Sequence, residues 1–323
     1  MSNRPSKKLT IFITIDTEDD YFEVPRLITG EGLADNPGIH KILDITEKYG
    51  FLSNIFLDAY SHVNFPPGLL QNIAKSIHNR GHAVELHSHP NFAKRLFFYK
   101  YHIYKYSLEE QIRILEYGKR LIFEWIGEYP IAHRGGAYAG NDDTLVALNQ
   151  VGIPIDSTFF FQHKNNHMKE ALTVNKVFSF AQTIEVPVTF VRVAKQDGSY
   201  KDTKFDIDAL SYDQLVQVIK LAKEHNLRTL TLFLHSFSFI NKRTKDATAE
   251  DHPQAIFRSF SRGGSLKCEI LGVDNNDIVK YDQLLHYIAQ DSEIEVLTFR
   301  QWYKTYQSLD YGSDFIPIVD SPS

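Results

Sequence analysis

The sequence predicts an α/β fold whose parallel strands close into a (β/α) barrel. Three observations lead to this prediction. Short runs rich in Ile, Val, Phe and Thr recur along the 323 residues and are typical of strands. Most of these runs are followed by a stretch with apolar residues at helical spacing. Strands that alternate with helices imply right-handed crossovers and a parallel sheet, whose natural closed form is a barrel.

Eight strands are predicted from the apolar runs. Their ranges are Leu9–Ile15, Phe51–Leu57, Ala83–Leu86, Ile131–Ala132, Ile153–Ile155, Ile184–Val193, Leu227–Leu234 and Ile294–Phe299. Helices are predicted between several of them. Their ranges are Ile39–Tyr49, Leu69–Arg80, Ile112–Trp125 and Leu215–His225. The last two are preceded by capping boxes, Ser107 with Glu110 and Ser211 with Gln214.

The charge balance argues against a nucleic-acid-binding protein. The chain has 35 basic and 40 acidic side chains and a formal net charge of −5. Proteins that bind phosphate backbones normally carry a basic excess. The single cysteine, Cys268, excludes an intrachain disulfide and a cysteine-based zinc cluster.

The start of the sequence shows neither a signal peptide nor a membrane span. The apolar run Leu9–Ile15 is interrupted by threonines and continues into Asp16 and Glu18, so it is too short and too polar for either role. We therefore expect a cytoplasmic protein without an integral membrane segment; its oligomeric state cannot be read from the sequence.

We expect one catalytic domain over residues 1–323, because no low-complexity linker divides the chain. Two stretches depart from the strand and helix pattern. Residues 236–280 are polar and lack a clear period, which indicates an insertion in the barrel. Residues 92–106 are aromatic and basic; they contact either substrate or a membrane surface, or their rings simply pack on the barrel.

Polar residues gather where predicted strands end, which is where parallel α/β proteins place their sites. Asp16 and Glu18 end the first strand, and the two-residue period puts both carboxylates on one side. His87 and His89 follow the third strand in the same way. Two imidazoles on one face suit a divalent transition metal.

Further candidates follow other strands. The fourth strand leads to His133, Arg134 and Tyr138, the next to Asp156, and the long strand near residue 230 to His235. Each residue alone is more often structural than functional. Their joint placement favours one metal-dependent hydrolase site.

The order of these motifs resembles the polysaccharide deacetylases of carbohydrate esterase family 4, the NodB-homology group. The matching segments are LTIFITIDTEDD, GHAVELHSHPNF, AHRGGAYAGN, GIPIDST and TLTLFLHSF, with LTFR near the end. The resemblance covers almost the whole chain. It implies a distorted (β/α) barrel of seven to eight parallel strands. The activity it implies is the removal of N- or O-acetyl groups from a carbohydrate.

The resemblance also implies roles for the residues. Glu18, His87 and His89 hold a divalent metal, most simply Zn²⁺; Asp16 acts as the base, Arg134 keeps Asp16 ionised and His235 acts as the acid. Tyr138 or a neighbouring backbone N–H stabilises the oxyanion. Asp156 is either a partner of His235 or a sugar-binding residue. A surface-polysaccharide precursor is the expected substrate.

Two motifs depart from the family's common forms, since Thr17 separates the two carboxylates and the two histidines are two residues apart. These departures leave His82 as an alternative ligand. If His235 is not the acid, His133 is the alternative, because it adjoins Arg134 at the same end of the sheet. Two other functions stay open: a metal-dependent amidohydrolase acting on a non-sugar C–N bond, and a non-catalytic carbohydrate-binding relative.

Overall fold

The computed structural model describes residues 8–18, 26–93, 97, 100–169, 173–246, 266–305 and 312–321. The strands are β1 Leu9–Thr17, β2 Asn54–Asp58, β3 Ala83–Ser88, β4 Ala132–Gly135, β5 Gly140–Asn141, β6 Ile155–Asp156, β7 Asn166–His167, β8 Phe178–Phe180, β9 Thr183–Glu185, β10 Phe190–Ala194, β11 Tyr200–Lys204, β12 Thr229–His235, β13 Ile240–Asp246, β14 Leu266–Val273, β15 Ile294–Val296 and β16 Ile318–Asp320.

The helices alternate with these strands. They are α1 Arg26–Thr29, α2 Ile39–Lys48, α3 Leu69–Asn79, α4 Leu108–Ile126, α5 Asp142–Val151, α6 Tyr212–Glu224, α7 Asn275–Gln290 and α8 Phe299–Thr305. Both predicted capping boxes are present: Ser107 and Glu110 begin α4, and Ser211 and Gln214 begin α6.

The main sheet confirms the predicted barrel. Its strand order is β12-β1-β2-β3-β4-β6-β9-β8, with β15 added beside the start of β1. Among the described residues, the seven strands from β12 to β9 pair in parallel, and β8 is antiparallel to β9. The carboxyl ends of the seven parallel strands therefore meet at one edge.

A short extended segment bridges the two sides of the curled sheet. The Phe205 N–H donates to the carbonyl of Thr189, while the Phe205 carbonyl accepts from the Phe233 N–H, both at 2.9 Å. Thr231 on β12 also donates from its hydroxyl to the Pro187 carbonyl. These bonds connect β12 with the chain beyond β9.

Alternation along the strands creates two apolar layers. On β1, Ile11, Ile13 and Ile15 belong to the large cluster that includes the surrounding helices, whereas Phe12 faces the smaller inner cluster. Phe12 packs there against Phe299 and Trp302 of α8, at ring-centroid distances of 4.5 and 5.6 Å. The amino-terminal end of the barrel interior is therefore filled, and polar side chains occupy its carboxyl end.

Two predicted strands are wrong in extent. The run Ile184–Val193 divides into β9 and β10, and β10 joins a separate sheet with β11 and β16. Pro187 lies between them and has no N–H for a ladder bond. The run Ile294–Phe299 ends as a strand at Val296, because Thr298 and Gln301 form reciprocal bonds that begin α8.

The stretches that depart from the strand and helix pattern are described only in part. The predicted insertion at 236–280 contains the antiparallel pair β13 and β14, and its residues 247–265 lie outside the described residues. In the aromatic and basic stretch 92–106, residues 94–96 and 98–99 lie outside them as well. No helix in the described ranges is long and apolar enough to cross a bilayer.

Candidate active site

The structure brings Glu18, His87 and His89 together at the carboxyl edge of the barrel. Oε2 of Glu18 lies 2.6 Å from Nε2 of His89 and 3.2 Å from Nε2 of His87. One ligand atom from each residue falls within 4.8 Å of the other two. The three side chains thus converge on a single point.

The hydrogen bonds around this point orient the imidazole nitrogens toward Glu18. Nδ1 of His87 donates to the Arg134 carbonyl at 2.9 Å, because a carbonyl can only accept. This bond turns Nε2 toward the Glu18 carboxylate, 3.2 Å away. The two groups can share a proton, or can bind a divalent ion together once that proton is released. The donor set of two imidazoles and one carboxylate is that of many zinc sites.

The Glu18 carboxyl is held in its charged form. Burial alone raises the pKa of Glu18, but the charge of His89 and hydrogen bonds with both histidines outweigh burial and hold this pKa well below its ordinary value. A buried carboxylate of this kind is ready to bind a divalent ion. The residues present therefore fit the metal that the motifs imply.

Asp16 lies on the other side of His87 and is held by Arg134. Nη1 of Arg134 donates to Oδ1 of Asp16 at 2.7 Å, and Oδ2 of Asp16 lies 3.8 Å from Nε2 of His87. Arg134 also donates to the Ser157 carbonyl and hydroxyl and to the Thr14 hydroxyl. Asp16 thus lies beside the cluster of Glu18, His87 and His89. Its Oδ1 accepts from Arg134, and its Oδ2 is the oxygen nearer to His87.

His235 ends β12, directly opposite Asp16 in the parallel register. Its imidazole stacks on Phe237 with a centroid distance of 4.7 Å and an interplanar angle of 10°. Nδ1 lies 3.8 Å from Oδ2 of Asp208. Burial raises the pKa of Asp208, but its contacts with His235 outweigh this and lower the pKa below the ordinary value. The Asp208 carboxylate therefore lies on the Nδ1 side of the His235 imidazole.

Tyr138 lies at the same edge among aromatic and charged groups. Its ring is 5.0 Å from Phe160 and 6.0 Å from Phe233. Two charged residues near it, Lys204 and Asp206, are absent from the sequence-based candidates. Lys204 ends β11, a polar hairpin strand of the side sheet, and Asp206 follows this strand, a pattern more typical of exposed surface.

The preceding glycines allow this close packing. A Cβ at Gly136 would overlap the imidazole of His89, and a Cβ at Gly135 would overlap the Ala139 carbonyl. The pair of glycines in AHRGGAY thus lets the loop approach the cluster of Glu18, His87 and His89.

Asp58 is a further residue that the sequence reasoning missed. It ends β2, pairs in register with His87, and accepts bonds from the Tyr60 N–H and the Ser61 hydroxyl. Burial raises the pKa of Asp58 to about 6. The strand-end rule that selected Asp16 applies equally to this position, so the signal was present in the sequence.

Asp156 was assigned wrongly. It is fully buried, and Oδ1 accepts from Nδ1 of His133 at 2.8 Å and from the Thr158 hydroxyl at 2.6 Å. It is therefore neither the partner of His235, which faces Asp208, nor open to a sugar. The physical reason is side-chain alternation: Asp156 pairs with His133, next to Arg134, so both face away from the site.

The two alternative residues are also excluded by their positions. His133 is fully buried, and its Nε2 shares a 2.8 Å hydrogen bond with Ser88, so it cannot act as the acid. His82 precedes β3 and lies at the opposite end of the strand from His87. Its ring nitrogens contact the Ser53 N–H and the Glu47 carboxylate, so it is no ligand of this cluster.

Comparison with solved structures confirms the resemblance at the level of the fold. A provisionally assigned polysaccharide deacetylase from Mycobacterium smegmatis is similar over 98% of this chain and 97% of its own, with a TM-score of 0.57 and 14% identity. The chain has the curled, mostly parallel barrel of the NodB type.

A second solved structure shows that this architecture serves more than one activity. A 4-alpha-glucanotransferase from Thermococcus litoralis matches over 98% of this chain, with a TM-score of 0.52 and 10% identity. This chain spans 42% of that protein. No protein-family model matches the sequence, and no curated protein does either. Function must therefore be argued from the site.

Proposed function

We propose that the protein is a metal-dependent hydrolase that removes N- or O-acetyl groups from a carbohydrate, with a surface-polysaccharide precursor as substrate. The observation that carries the proposal is the convergence of Glu18, His87 and His89 beside the Asp16–Arg134 pair. His235 stands in register with Asp16 on the neighbouring strand. Metal-dependent hydrolysis of an amide or ester requires metal ligands, a general base and a general acid, and these residues supply candidates for all three at one edge of the sheet.

Glu18, His87 and His89 would hold the ion, for which Zn²⁺ is our first choice. A divalent ion held there would polarise the substrate carbonyl and lower the pKa of a bound water. Side chains of the protein carry out the proton transfers. Asp16 accepts a proton from the attacking water, and Arg134 orients this carboxylate through the 2.7 Å bond to its Oδ1.

The second proton transfer is assigned to His235. Once the carbonyl carbon has become tetrahedral, the leaving amine or alkoxide needs a proton, because its anion is a poor leaving group. The Asp208 carboxylate, 3.8 Å from Nδ1, stabilises the charged imidazole. Tyr138, or a backbone N–H near it, is assigned the hydrogen bond to the oxyanion, because this loop directly follows the strand that carries Arg134.

Acetate release from a panel of acetylated compounds tests the proposal. We expect the zinc-loaded protein to deacetylate N-acetyl or O-acetyl oligosaccharides, and the Glu18→Gln variant to lose this activity. A metal-loaded protein that hydrolyses only non-sugar amides would instead be an amidohydrolase. Oligosaccharide binding without acetate release, measured by calorimetry, would indicate the non-catalytic function.

A further inference from the structure

A buried ammonium group lies beside the candidate active site, at the end of β11. Nζ of Lys204 lies 2.9 Å from Oδ2 of Asp206, and the two side chains are 16% and 3% exposed. Nζ also lies 3.4 Å from the centroid of the Phe233 ring. Buried ion pairs are expensive to desolvate and contribute little net stability. Stability alone therefore does not explain why Lys204 and Asp206 are buried here.

The ring of Tyr138 lies next to the same ammonium, with its centroid 5.6 Å from Nζ. Ala137 and Tyr138 have φ angles of +54° and +56°. Non-glycine residues in this left-handed region cost about 1–3 kcal/mol each and persist only where surrounding contacts hold them. Here the Tyr138 ring is held between Phe160 and His163, at centroid distances of 5.0 and 4.8 Å. The fold thus stores strain to keep this phenol in place.

We propose that Lys204 is a positioning residue that fixes the Tyr138 hydroxyl so that its proton is donated to the acyl oxygen of the substrate; the inference rests on the proposed function. An ammonium group can only donate hydrogen bonds. A phenol oxygen that faces it must accept, which leaves the phenol O–H free to point elsewhere. The phenol lies next to the candidate site, because the Tyr138 ring is 6.0 Å from the Phe233 ring, which contacts the Arg134 guanidinium at 4.7 Å.

The charges in the cluster support this arrangement. Burial lowers the pKa of Lys204, but Asp206 and Tyr138 outweigh it and raise this pKa, so the ammonium stays charged. Burial raises the pKa of Tyr138, while the charge of Lys204 and a hydrogen bond with it act in the opposite direction. The phenol is therefore protonated, yet polarised by the cation into a stronger donor.

A double-mutant cycle tests whether Lys204 acts through Tyr138. We expect Tyr138→Phe to lower kcat on the order of 100-fold and Lys204→Met about tenfold, with KM unchanged in both, since the donor acts on the transition state. The double variant should be no slower than Tyr138→Phe. Lys223→Met is the matched control, because Lys223 also pairs with carboxylates, Asp291 and Glu293, but on α6.

A second measurement needs no turnover. In protein labelled with ζ-¹³C tyrosine, the Tyr138 resonance is the one lost in Tyr138→Phe. We expect Lys204→Met to shift this resonance and Lys223→Met to leave it in place. An unshifted resonance, or losses in kcat that multiply in the double variant, would overturn the proposal. Absence of acetate release by the wild type would instead overturn the proposed function, while the resonance still decides whether Lys204 positions Tyr138.

Discussion

Arg134 and Asp16 form a buried ion pair in which Nη1 lies 2.7 Å from Oδ1 and the arginine side chain has no exposed surface. The guanidinium also lies between the rings of Phe56 and Phe233, 4.2 and 4.7 Å from their centroids. It is satisfied by the backbone and hydroxyl oxygens of Ser157 and by Thr14. The planar group thus connects β1, β4 and the chain after β6, and fixes the carboxylate of Asp16 beside the cluster of Glu18, His87 and His89.

Removing this guanidinium should destabilise the fold. We expect Arg134→Met to lower the free energy of unfolding by about 3–5 kcal/mol, because Asp16 would stay buried without the guanidinium that pairs with its Oδ1. The double variant Asp16→Asn/Arg134→Met should be less destabilised than the sum of the single changes, since no charge is then left unpaired. Urea denaturation monitored by circular dichroism measures both. Additive losses would show that the two residues contribute independently.

Loss of both imidazoles should abolish metal binding. We expect the wild type to bind about one zinc ion per chain, and His87→Ala/His89→Ala to bind none, since one carboxylate does not hold zinc tightly. Mass spectrometry of metal content after dialysis measures this. The control is His40→Ala/His78→Ala, which removes two imidazoles from α2 and α3 and should keep the metal. Unchanged zinc in the first variant would refute the assigned ligands.

Asp16→Asn separates the role of base from that of ligand. The amide has nearly the same shape but cannot accept a proton, so we expect metal and fold to be retained and hydrolysis to fall at least 100-fold. Zinc content and acetate release are measured on the same sample. If Asp16→Asn loses the ion, Asp16 is a ligand and the two carboxylates have exchanged roles.

The strand-end rule explains which site residues could be found from the sequence. It needs only that parallel strands end at one edge, and it selected Asp16, Glu18, His87 and His89, which the structure brings together. The rule could not select Lys204, because β11 belongs to the side sheet and reaches the site only through tertiary packing.

Alternation along a strand would have corrected one assignment in advance. If Arg134 faces the site, His133 must face away, and Asp156, its neighbour in register, faces away with it. What the sequence could not supply was the register between β4 and β6, which long-range packing determines. The division of the run at Pro187 was, by contrast, readable from the proline itself.

Glu185 should make the stability fall as pH rises. Burial raises the pKa of this carboxyl well above its ordinary value of 4.5, and the neighbouring Asp156 raises it further. Above pH 4.5 the unfolded chain has lost this proton while the folded protein still holds it. Unfolding therefore releases a proton, and each further rise in pH lowers the free energy of unfolding until Glu185 ionises in the folded protein too. We expect Glu185→Gln, whose amide can still accept from the Phe159 N–H, to flatten this decline.

Thermal melts at several pH values between about 5 and 9 measure the effect. The difference in Tm between Glu185→Gln and the wild type should grow toward alkaline pH. Curves that stay parallel over this range would mean that Glu185 is already ionised in the folded protein.

His235→Ala tests the acid, and the choice of substrate makes the test specific. We expect the variant to retain zinc, since His235 is not among the three converging ligands, and to lose roughly 10²–10⁴-fold in turnover on an acetylated sugar. A sugar amine or alkoxide must be protonated as it leaves, whereas nitrophenolate leaves without help. The loss on 4-nitrophenyl acetate should therefore be far smaller. Equal losses on both substrates would mean that His235 positions the substrate and is not the acid. His133 could not replace it, because its ring is buried in bonds to Ser88 and Asp156.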